Sequence, residues 1–435
     1  MIEGGPFPSS GSYPGARLLG NPQLERRRYG EVERGIVSLA RHADALREIR
    51  GWPGYAPTPL HPLPALASDL GLGAIWYKDE GLRFDVGSFK ALGGPYGASR
   101  LLRREVAARV GDPSSAPDPG VELLGLDGLR ARYGELLAGI TMTCASTGNH
   151  GRALAWAASL LGCRSVIFVP RLLSPGRAEA IASRGGEVVR VDGGYDEALR
   201  ESRETATAEG WFVISDKSEG PGTEQIGRDM MQGCTVLIAE VLEQLPSSEV
   251  PTHVFVQAGV GGLAAATTAH LWEALGDRRP TMVIVESEKA DCLLQSARVG
   301  RPVTLEGPLD TMMGGLRCRE PSPLAWEILR PGAHFFSAIS DEASAETMRR
   351  LGAGAGDPAV DVGESGAASA AALLSLAADP AHREALGLSD DAAVVVVGTE
   401  GATDARIYEE IVGRPPRPSP LLLDPVSPAM VKSDR

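Results

Sequence analysis

The chain has 435 residues, of which 43% are hydrophobic and 23% are charged, and its formal net charge is −13. This length predicts roughly two or three domains with a large buried core. The acidic balance argues against binding to nucleic acid, which needs a basic surface, and no apolar run reaches the roughly 18 residues expected of a helix that spans a membrane.

Strands and helices are predicted to alternate through most of the chain, after a Gly-, Pro- and Arg-rich start that we expect to be an arm. The predicted strands span residues 75–78, 140–144, 165–169, 187–191, 211–214, 253–257, 282–286 and 393–397. The predicted helices span residues 65–70, 88–110, 123–137, 152–161, 177–183, 197–208, 226–245, 263–275 and 365–377. This alternation is typical of an α/β fold with parallel-rich sheets flanked by helices.

The cysteines are few and widely spaced, and none forms a Cys-x-x-Cys pair. They are Cys144, Cys163, Cys234, Cys292 and Cys318. An odd count with such spacing predicts neither a disulfide framework nor a structural zinc site, so we expect no bound metal. The first residues lack the basic region and apolar core of a signal peptide. A reducing, cytoplasmic location is therefore expected.

One lysine, Lys90, lies among small and apolar residues in the stretch 86–94, near the start of a predicted helix. It gains nothing from the helix dipole, because a helix start favours anions. An apolar setting disfavours the charged form of an amine, which makes a lysine there a usable nucleophile or base. The alternative is an ordinary solvated lysine on an amphipathic helix.

A polar cluster, residues 144–151, comes between a predicted buried strand and a helix, where open α/β sheets bind ligands. Ser146 and Thr147 provide hydroxyls, and Asn149 provides an amide. The first N–H groups of the following helix can hold an anion. Capping of that helix by Ser146 or Thr147 is the alternative, but it explains only one hydroxyl.

A glycine-rich turn, residues 257–262, has the same position after a strand. Glycines allow close approach of a ligand, and successive backbone amides can form a nest for an anion. The turn is neither the dinucleotide-binding fingerprint nor a phosphate loop with lysine. A purely structural turn is the alternative.

Two further polar residues follow predicted strands. Thr399, directly after the valine-rich strand, could contact a heterocyclic nitrogen, whereas capping by Thr403 is the plainer interpretation of this stretch. Asp196 lies at a strand-to-helix junction, and it could simply complement the helix N-terminus. Together a lysine, an amide, an anion nest and a polar group at a further strand end are what a pyridoxal-phosphate site requires.

The motifs at residues 88–90, 146–151 and 259–262 resemble those of the fold type II pyridoxal-phosphate enzymes, the group of the serine/threonine dehydratases and the tryptophan synthase β chain. Further stretches closely resemble the diaminopropionate ammonia-lyase family. They are residues 55–60, 78–80, 89–94, 148–152, 257–261, 285–286, 289–292, 323–330, 363–367 and 399–401, and together they extend over roughly residues 50–410.

The resemblance implies a two-domain architecture with pyridoxal 5'-phosphate between the domains. Residues 36–96 and 217–413 would form the large cofactor-binding domain and residues 97–216 the small domain. Residues 1–35 would be an N-terminal arm and residues 414–435 a mobile tail. The family also implies a homodimer that acts on a small amino acid, with no nucleic-acid or membrane partner.

The resemblance also implies roles for single residues. Lys90 would be buried at the domain interface, form the Schiff base with the cofactor and take the substrate α-proton. Asp196 would be catalytic and would hold the β-ammonium group of the substrate. The other cofactor contacts would be Phe89, Asn149 at the ring hydroxyl, Gly259, Val260, Gly261 and Gly262 at the phosphate, and Thr399 at the ring nitrogen. Ser146, Thr147 and Gly148 would receive the substrate carboxylate.

Two positions depart from the lyase pattern. The family has an aspartate, implicated in taking the α-proton of the D-isomer, where this chain has Thr147, and it has another aspartate where this chain has Ala402. A threonine hydroxyl is no general base near neutral pH. The resemblance implies α,β-elimination of ammonia from 2,3-diaminopropionate, and Thr147 in place of the aspartate implies a preference for the L-isomer. A β-hydroxy amino acid dehydratase of the serine/threonine type and a β-replacement transferase are the alternatives.

Overall fold

The computed structural model describes residues 15–110, 119–215, 224–246 and 249–418. The first part of the predicted arm and most of the predicted tail lie outside these residues. The strands are β1 (Arg17–Gly20), β2 (Leu60–Pro62), β3 (Ala74–Asp79), β4 (Thr141–Ala145), β5 (Arg164–Pro170), β6 (Glu187–Val191), β7 (Phe212–Val213), β8 (His253–Gln257), β9 (Thr281–Ser287), β10 (Phe335–Ile339) and β11 (Ala393–Gly398).

Helices connect these strands on both sides. They are α1 (Glu31–Arg34), α2 (Leu39–Arg50), α3 (Pro64–Leu70), α4 (Lys90–Val110), α5 (Pro119–Leu123), α6 (Leu126–Ala138), α7 (Asn149–Leu161), α8 (Pro175–Ala182), α9 (Tyr195–Glu209), α10 (Glu224–Gln244), α11 (Gly262–Leu275), α12 (Cys292–Val299), α13 (Pro323–Gly332), α14 (Asp341–Ala353), α15 (Ala368–Ala378), α16 (Pro380–Leu386) and α17 (Ala405–Val412). Within the described ranges, no helix is both long and apolar enough to cross a bilayer.

Two sheets organise the described residues. The larger one has the strand order β1-β10-β9-β8-β11-β3-β2, in which the five inner strands are parallel and the two edge strands are antiparallel. The smaller one has the order β6-β5-β4-β7 and is parallel throughout. This confirms the predicted α/β class with parallel-rich sheets.

The valine-rich strand β11 shows why the large sheet is central to the fold. It lies between β8 and β3, and its side chains alternate between two apolar clusters. Val395 and Val397 pack in one cluster with α10 and α11, whereas Val394 and Val396 pack in the other with α15. A strand covered on both faces is expected to be apolar at every position, as the sequence predicted.

Helix α4, which begins with Lys90, packs against α10 at close range. A Cβ atom at Gly93 would lie 2.7 Å from the backbone oxygen of Met230, and one at Gly233 would lie 2.9 Å from the backbone oxygen of Leu92. Only residues without a side chain allow this approach. The glycines of both helices therefore set the position of Lys90 relative to the rest of the large sheet.

Both ends of the described chain are more ordered than the sequence suggested. Arg17–Gly20 lies in the stretch assigned to the arm, yet it forms an edge strand antiparallel to β10. Arg414 and Arg417, at the start of the expected mobile tail, both bind the Asp361 carboxylate. Short stretches such as these carry little periodicity, so their pairing is decided by the surface that they meet.

Candidate active site

A cavity of about 570 Å³ lies where the carboxyl ends of strands from both sheets come together. Its lining includes every candidate residue from the sequence: Phe89, Lys90, Ser146, Thr147, Gly148, Asn149, Asp196, Gly259, Val260, Gly261, Gly262 and Thr399. Sequence positions more than 300 residues apart thus reach one space, because parallel strands present their carboxyl ends at the same edge of a sheet.

Lys90 is the first residue of α4, and its side chain is half-buried rather than buried as we expected. It opens onto the cavity, which is why burial is incomplete. Its amine lies 5.2 Å from the centre of the Phe89 ring. The Phe89 N–H donates to the backbone oxygen of Thr399 at 3.0 Å. This hydrogen bond holds the lysine turn beside the end of β11.

A buried ionic network supports the segment that leads to Lys90. The Arg83 guanidinium binds the Glu80 and Glu240 carboxylates at 2.7 Å each, and Lys78 binds Glu240 at 2.8 Å. All four side chains are fully buried. Removing one partner would leave an uncompensated buried charge, so the network fixes this segment against α10.

The loop between β4 and α7 is built around the Ser146 hydroxyl. This hydroxyl accepts the N–H groups of Gly148 at 3.0 Å and Gly151 at 2.8 Å. Gly148, in the N-cap position, has φ +147°, a conformation that favours glycine. Among the described residues, no hydrogen bond occupies the N–H groups of Thr147 and Asn149. The loop can therefore receive an anion such as a carboxylate.

The amide of Asn149 is oriented from both ends. Its Nδ2 donates to Glu400, and its Oδ1 accepts from Arg152 at 2.9 Å. The second oxygen of Glu400 accepts the Ser365 N–H at 3.0 Å. A cofactor oxygen in the cavity would thus meet an N–H of Asn149, because the amide oxygen is already engaged with Arg152.

The glycine turn after β8 lines the cavity and is closely packed against its neighbours. Gly261 has φ +97°, and α11 begins at Gly262. A Cβ atom at Gly259 would lie 2.8 Å from the Cys318 sulfur and 2.9 Å from the Gly315 oxygen. The turn and the following helix start form a cradle of backbone N–H groups, which suits a phosphate.

Thr399 lies at the end of β11 with its hydroxyl buried beside the cavity. Its oxygen is 2.8 Å from Nε2 of Gln257. Lys90, the glycine cradle and this buried hydroxyl match the three parts of pyridoxal phosphate that need protein partners, namely the aldehyde carbon, the phosphate and the ring nitrogen. The residues present therefore fit this cofactor.

Asp196 lies in the first turn of α9, on the side of the small sheet. Its carboxylate is largely exposed and is 3.6 Å from the Arg319 guanidinium. Arg319 is held by the backbone oxygens of Leu305 and Gly307 at 2.8 and 3.0 Å. The carboxylate therefore stands at the cavity entrance with a fixed cation beside it.

A second ionic cluster joins the small sheet to the large one. Arg177 of α8 binds Glu364 at 2.9 Å and lies 3.5 Å from Asp404, and the Ser174 hydroxyl donates to Asp404 at 2.8 Å. Burial and the neighbouring Glu400 raise the pKa of Glu364 to about 7, while Arg177 opposes the rise. The cluster ties the small sheet to the large one beside the cavity.

The capping alternatives considered for the sequence have mixed outcomes. Thr403 does not cap α17, because the Asp404 carboxylate accepts the Ile407 N–H at 3.3 Å. Ser146 does bind backbone N–H groups at the start of α7, although it lies before the N-cap position. Thr147 makes no such cap bond among the described residues.

Sequence reasoning gave no role to several side chains that line the cavity or contact its lining. These are Arg177, Gln257, Arg317, Arg319, Glu364 and Glu400. Three of them lie inside the motifs that carry the family resemblance, namely Gln257, Glu364 and Glu400. Membership in these motifs could have indicated that they belong to the site. The arginines lie outside any motif, and only the folded chain brings them to the cavity.

Comparisons with known proteins agree with this geometry. Residues 52–400 match the family described as pyridoxal-phosphate dependent enzyme. The chain is 38% identical over 364 residues to diaminopropionate ammonia-lyase from Escherichia coli strain K12, which covers 82% of this chain and 88% of the relative. The crystal structure of the holo form of the Escherichia coli enzyme gives a TM-score of 0.82 at 34% identity, over 91% of this chain and 96% of that one. Its complex with D-serine gives a TM-score of 0.81, with the same identity and coverage.

Proposed function

Because this chain belongs to the family of pyridoxal-phosphate dependent enzymes, we propose that it eliminates ammonia from L-2,3-diaminopropionate and releases pyruvate and ammonia. Relatives that share 36–38% of their residues with it over most of its length are diaminopropionate ammonia-lyases. The observation that carries the proposal is that Lys90 and Asp196 line the same cavity from the two sheets. The Lys90 amine suits the bond to the cofactor, and the Asp196 carboxylate suits the second ammonium group of the substrate.

Each end of the substrate has a partner in this proposal. The N–H groups of the β4–α7 loop hold the α-carboxylate, with Ser146 keeping the loop in shape. The Asp196 carboxylate holds the β-ammonium and keeps it protonated, so that it can depart as ammonia. Serine and threonine lack this second ammonium group, so with them Asp196 would have only Arg319 as its charged partner among the described residues.

Lys90 has two tasks at the other end of the cavity. Its amine would hold the cofactor covalently and, when free, would take the proton from the substrate Cα. Pyridoxal phosphate, when bound, supplies the sink for the electron pair that this proton leaves behind. Phe89, Asn149, the glycines 259–262 and Thr399 line the same cavity as Lys90 and would hold the cofactor there.

Thr147 decides the stereochemistry in this proposal. A base on the face opposite Lys90 is needed to take the α-proton of the D-isomer, and a threonine hydroxyl does not act as a base near neutral pH. Lys90 is then the sole base for the α-proton. The L-isomer is turned over, and the D-isomer is a poor substrate.

A substrate panel tests the reaction. We expect 2-oxo acid from L-diaminopropionate at a higher kcat/KM than from L-serine or L-threonine, and little from D-diaminopropionate. Faster turnover of L-serine or L-threonine would indicate a dehydratase rather than a diaminopropionate ammonia-lyase. Consumption of an added nucleophile with little free oxo acid would indicate a β-replacement transferase instead.

A lysine pair tests the site. Lys90→Ala should remove both turnover and the absorbance band that the cofactor gives when it is bonded to a lysine. Lys289→Ala is the matched control, because Lys289 lies on the surface and its amine pairs with Asp341 at 2.8 Å. If the band and the turnover survive in Lys90→Ala, the site assignment is wrong.

The assembly and location follow the family in this proposal. The enzyme would be a cytoplasmic homodimer, with a large domain of residues 36–96 and 217–413 and a small domain of residues 97–216. Light scattering on the purified holoenzyme measures the mass in solution, and a monomer would refute the dimer.

A further inference from the structure

Gln257 is the last residue of β8, and its side chain is 2% exposed. Its Nε2 atom lies within hydrogen-bond distance of three oxygens: the backbone oxygen of Ser365 at 2.9 Å, that of Gly366 at 3.3 Å, and the Thr399 hydroxyl at 2.8 Å. Two of these three are carbonyl oxygens, which can only accept. The nitrogen end of the amide must therefore point at this group.

The opposite orientation of the amide is strongly disfavoured. It would place the Gln257 Oε1 atom against two carbonyl oxygens, with no hydrogen between them. In the orientation observed, Oε1 is buried and has no partner among the described residues. The amide nitrogen has two hydrogens, which go to its nearest oxygens, those of Ser365 and Thr399, while the more distant Gly366 oxygen can only share one of them. An unpaired buried oxygen costs about 1–3 kcal/mol, so these hydrogen bonds must outweigh that cost.

The direction of the hydrogen bond to Thr399 follows from this orientation. Gln257 donates and the Thr399 oxygen accepts, so the single hydrogen of the hydroxyl is left for another acceptor. The hydroxyl is buried and lines the cavity, and it makes no other hydrogen bond among the described residues. Its hydrogen is therefore available to a group inside the cavity.

We propose that Gln257 is a positioning residue, which fixes Thr399 as a hydrogen-bond donor and thereby keeps the pyridine nitrogen of the cofactor without a proton. This inference rests on the proposed function, because it needs the cofactor ring in the cavity with its nitrogen at Thr399. Without Gln257 the hydroxyl could turn its hydrogen towards a carbonyl and accept from a protonated ring instead.

Nitrogen NMR of the holoenzyme tests the inference directly. The cofactor is labelled with ¹⁵N in its ring, and the shift of that nitrogen separates the protonated from the unprotonated form. The native enzyme should show the unprotonated form at every pH at which it stays folded. Gln257→Met, which has a similar length but no donor, should move the signal towards the protonated form and weaken cofactor binding about threefold to tenfold, the worth of one hydrogen bond.

A double-mutant cycle distinguishes positioning from a structural role. Thr399→Val removes the hydroxyl, so Gln257→Met should cause no further change of the ring signal in that background. Gln295→Met is the control, since Gln295 on α12 donates to Asp291 and accepts from Arg298, away from the cavity. Additive effects of the two substitutions on the ring signal would overturn the proposal.

If a variant does not fold, the ring-nitrogen measurement on the native enzyme still tests the inference. A protonated ring nitrogen in an active holoenzyme refutes the role of Gln257 and leaves the proposed reaction intact. A chain that neither binds the cofactor at Lys90 nor releases oxo acid refutes the proposed function itself. Thr399→Ser, which keeps a hydroxyl at the same place, should retain the native ring signal.

Discussion

Replacing Gly259 by alanine puts one methyl group into the cradle at the end of β8. The added Cβ would lie 2.8 Å from the Cys318 sulfur and 2.9 Å from the Gly315 oxygen. The sulfur can turn away, but the oxygen belongs to a backbone whose N–H is fixed to the Ser365 hydroxyl at 2.8 Å. The segment with Gly315 must therefore shift, and overpacking of this kind costs about 1–3 kcal/mol.

This cost should appear in cofactor binding. If the cradle must be restored when the phosphate binds, about 1–3 kcal/mol weakens the affinity for pyridoxal phosphate roughly 5-fold to 150-fold. The measurement is a titration of the apoprotein with cofactor, followed by absorbance, together with melting temperatures with and without cofactor.

Two further variants give this experiment its controls. Gly134→Ala, on α6, adds a methyl group that meets nothing within 4 Å, so it should bind cofactor like the native chain. Adding Cys318→Ala to Gly259→Ala removes one of the two close contacts and should recover part of the affinity. Native affinity and native melting temperatures in Gly259→Ala would refute the predicted shift of the segment with Gly315.

The remaining predictions concern the substrate and the contact between the sheets. Thr147→Asp should raise kcat/KM for D-diaminopropionate roughly 100-fold or more by supplying a base, whereas Thr147→Asn should not; equal effects in a D-isomer assay would contradict this. Asp196→Asn should lower kcat/KM for L-diaminopropionate about tenfold to 100-fold and change that for L-serine less, and an equal loss for both would remove its role at the β-ammonium. The raised pKa of Glu364 contributes stability that is complete below its ordinary pKa of 4.5 and is lost as pH rises through about 7. Melting temperatures should therefore fall less over that range in Glu364→Gln, and parallel curves would refute the burial of an ionisable Glu364.

Most of the parallel core could be predicted because its signals are local. The run of valines in β11 is apolar at every position, and that alone indicates a strand covered on both faces. Strand β10 and helices α13 and α14 were not predicted, because their apolar stretches are too short to distinguish the helical period from the strand period. The edge strand β1 carries no signal of its own, and its pairing with β10 exists only in the folded chain.

The sequence by itself determined which residue types stand after each strand, and therefore the chemistry of the cavity. Lys90, the loop at Asn149, the glycine turn and Thr399 are legible as local motifs, because a turn between a strand and a helix needs particular residues at fixed spacing. Only the tertiary structure decided which side chains orient them. Gln257 meets Thr399 across 142 positions, and Asn149 meets Glu400 across 251. Such partners are chosen by the order of strands in the sheets, and a hydrogen bond gains its direction only when all of its neighbours are in place.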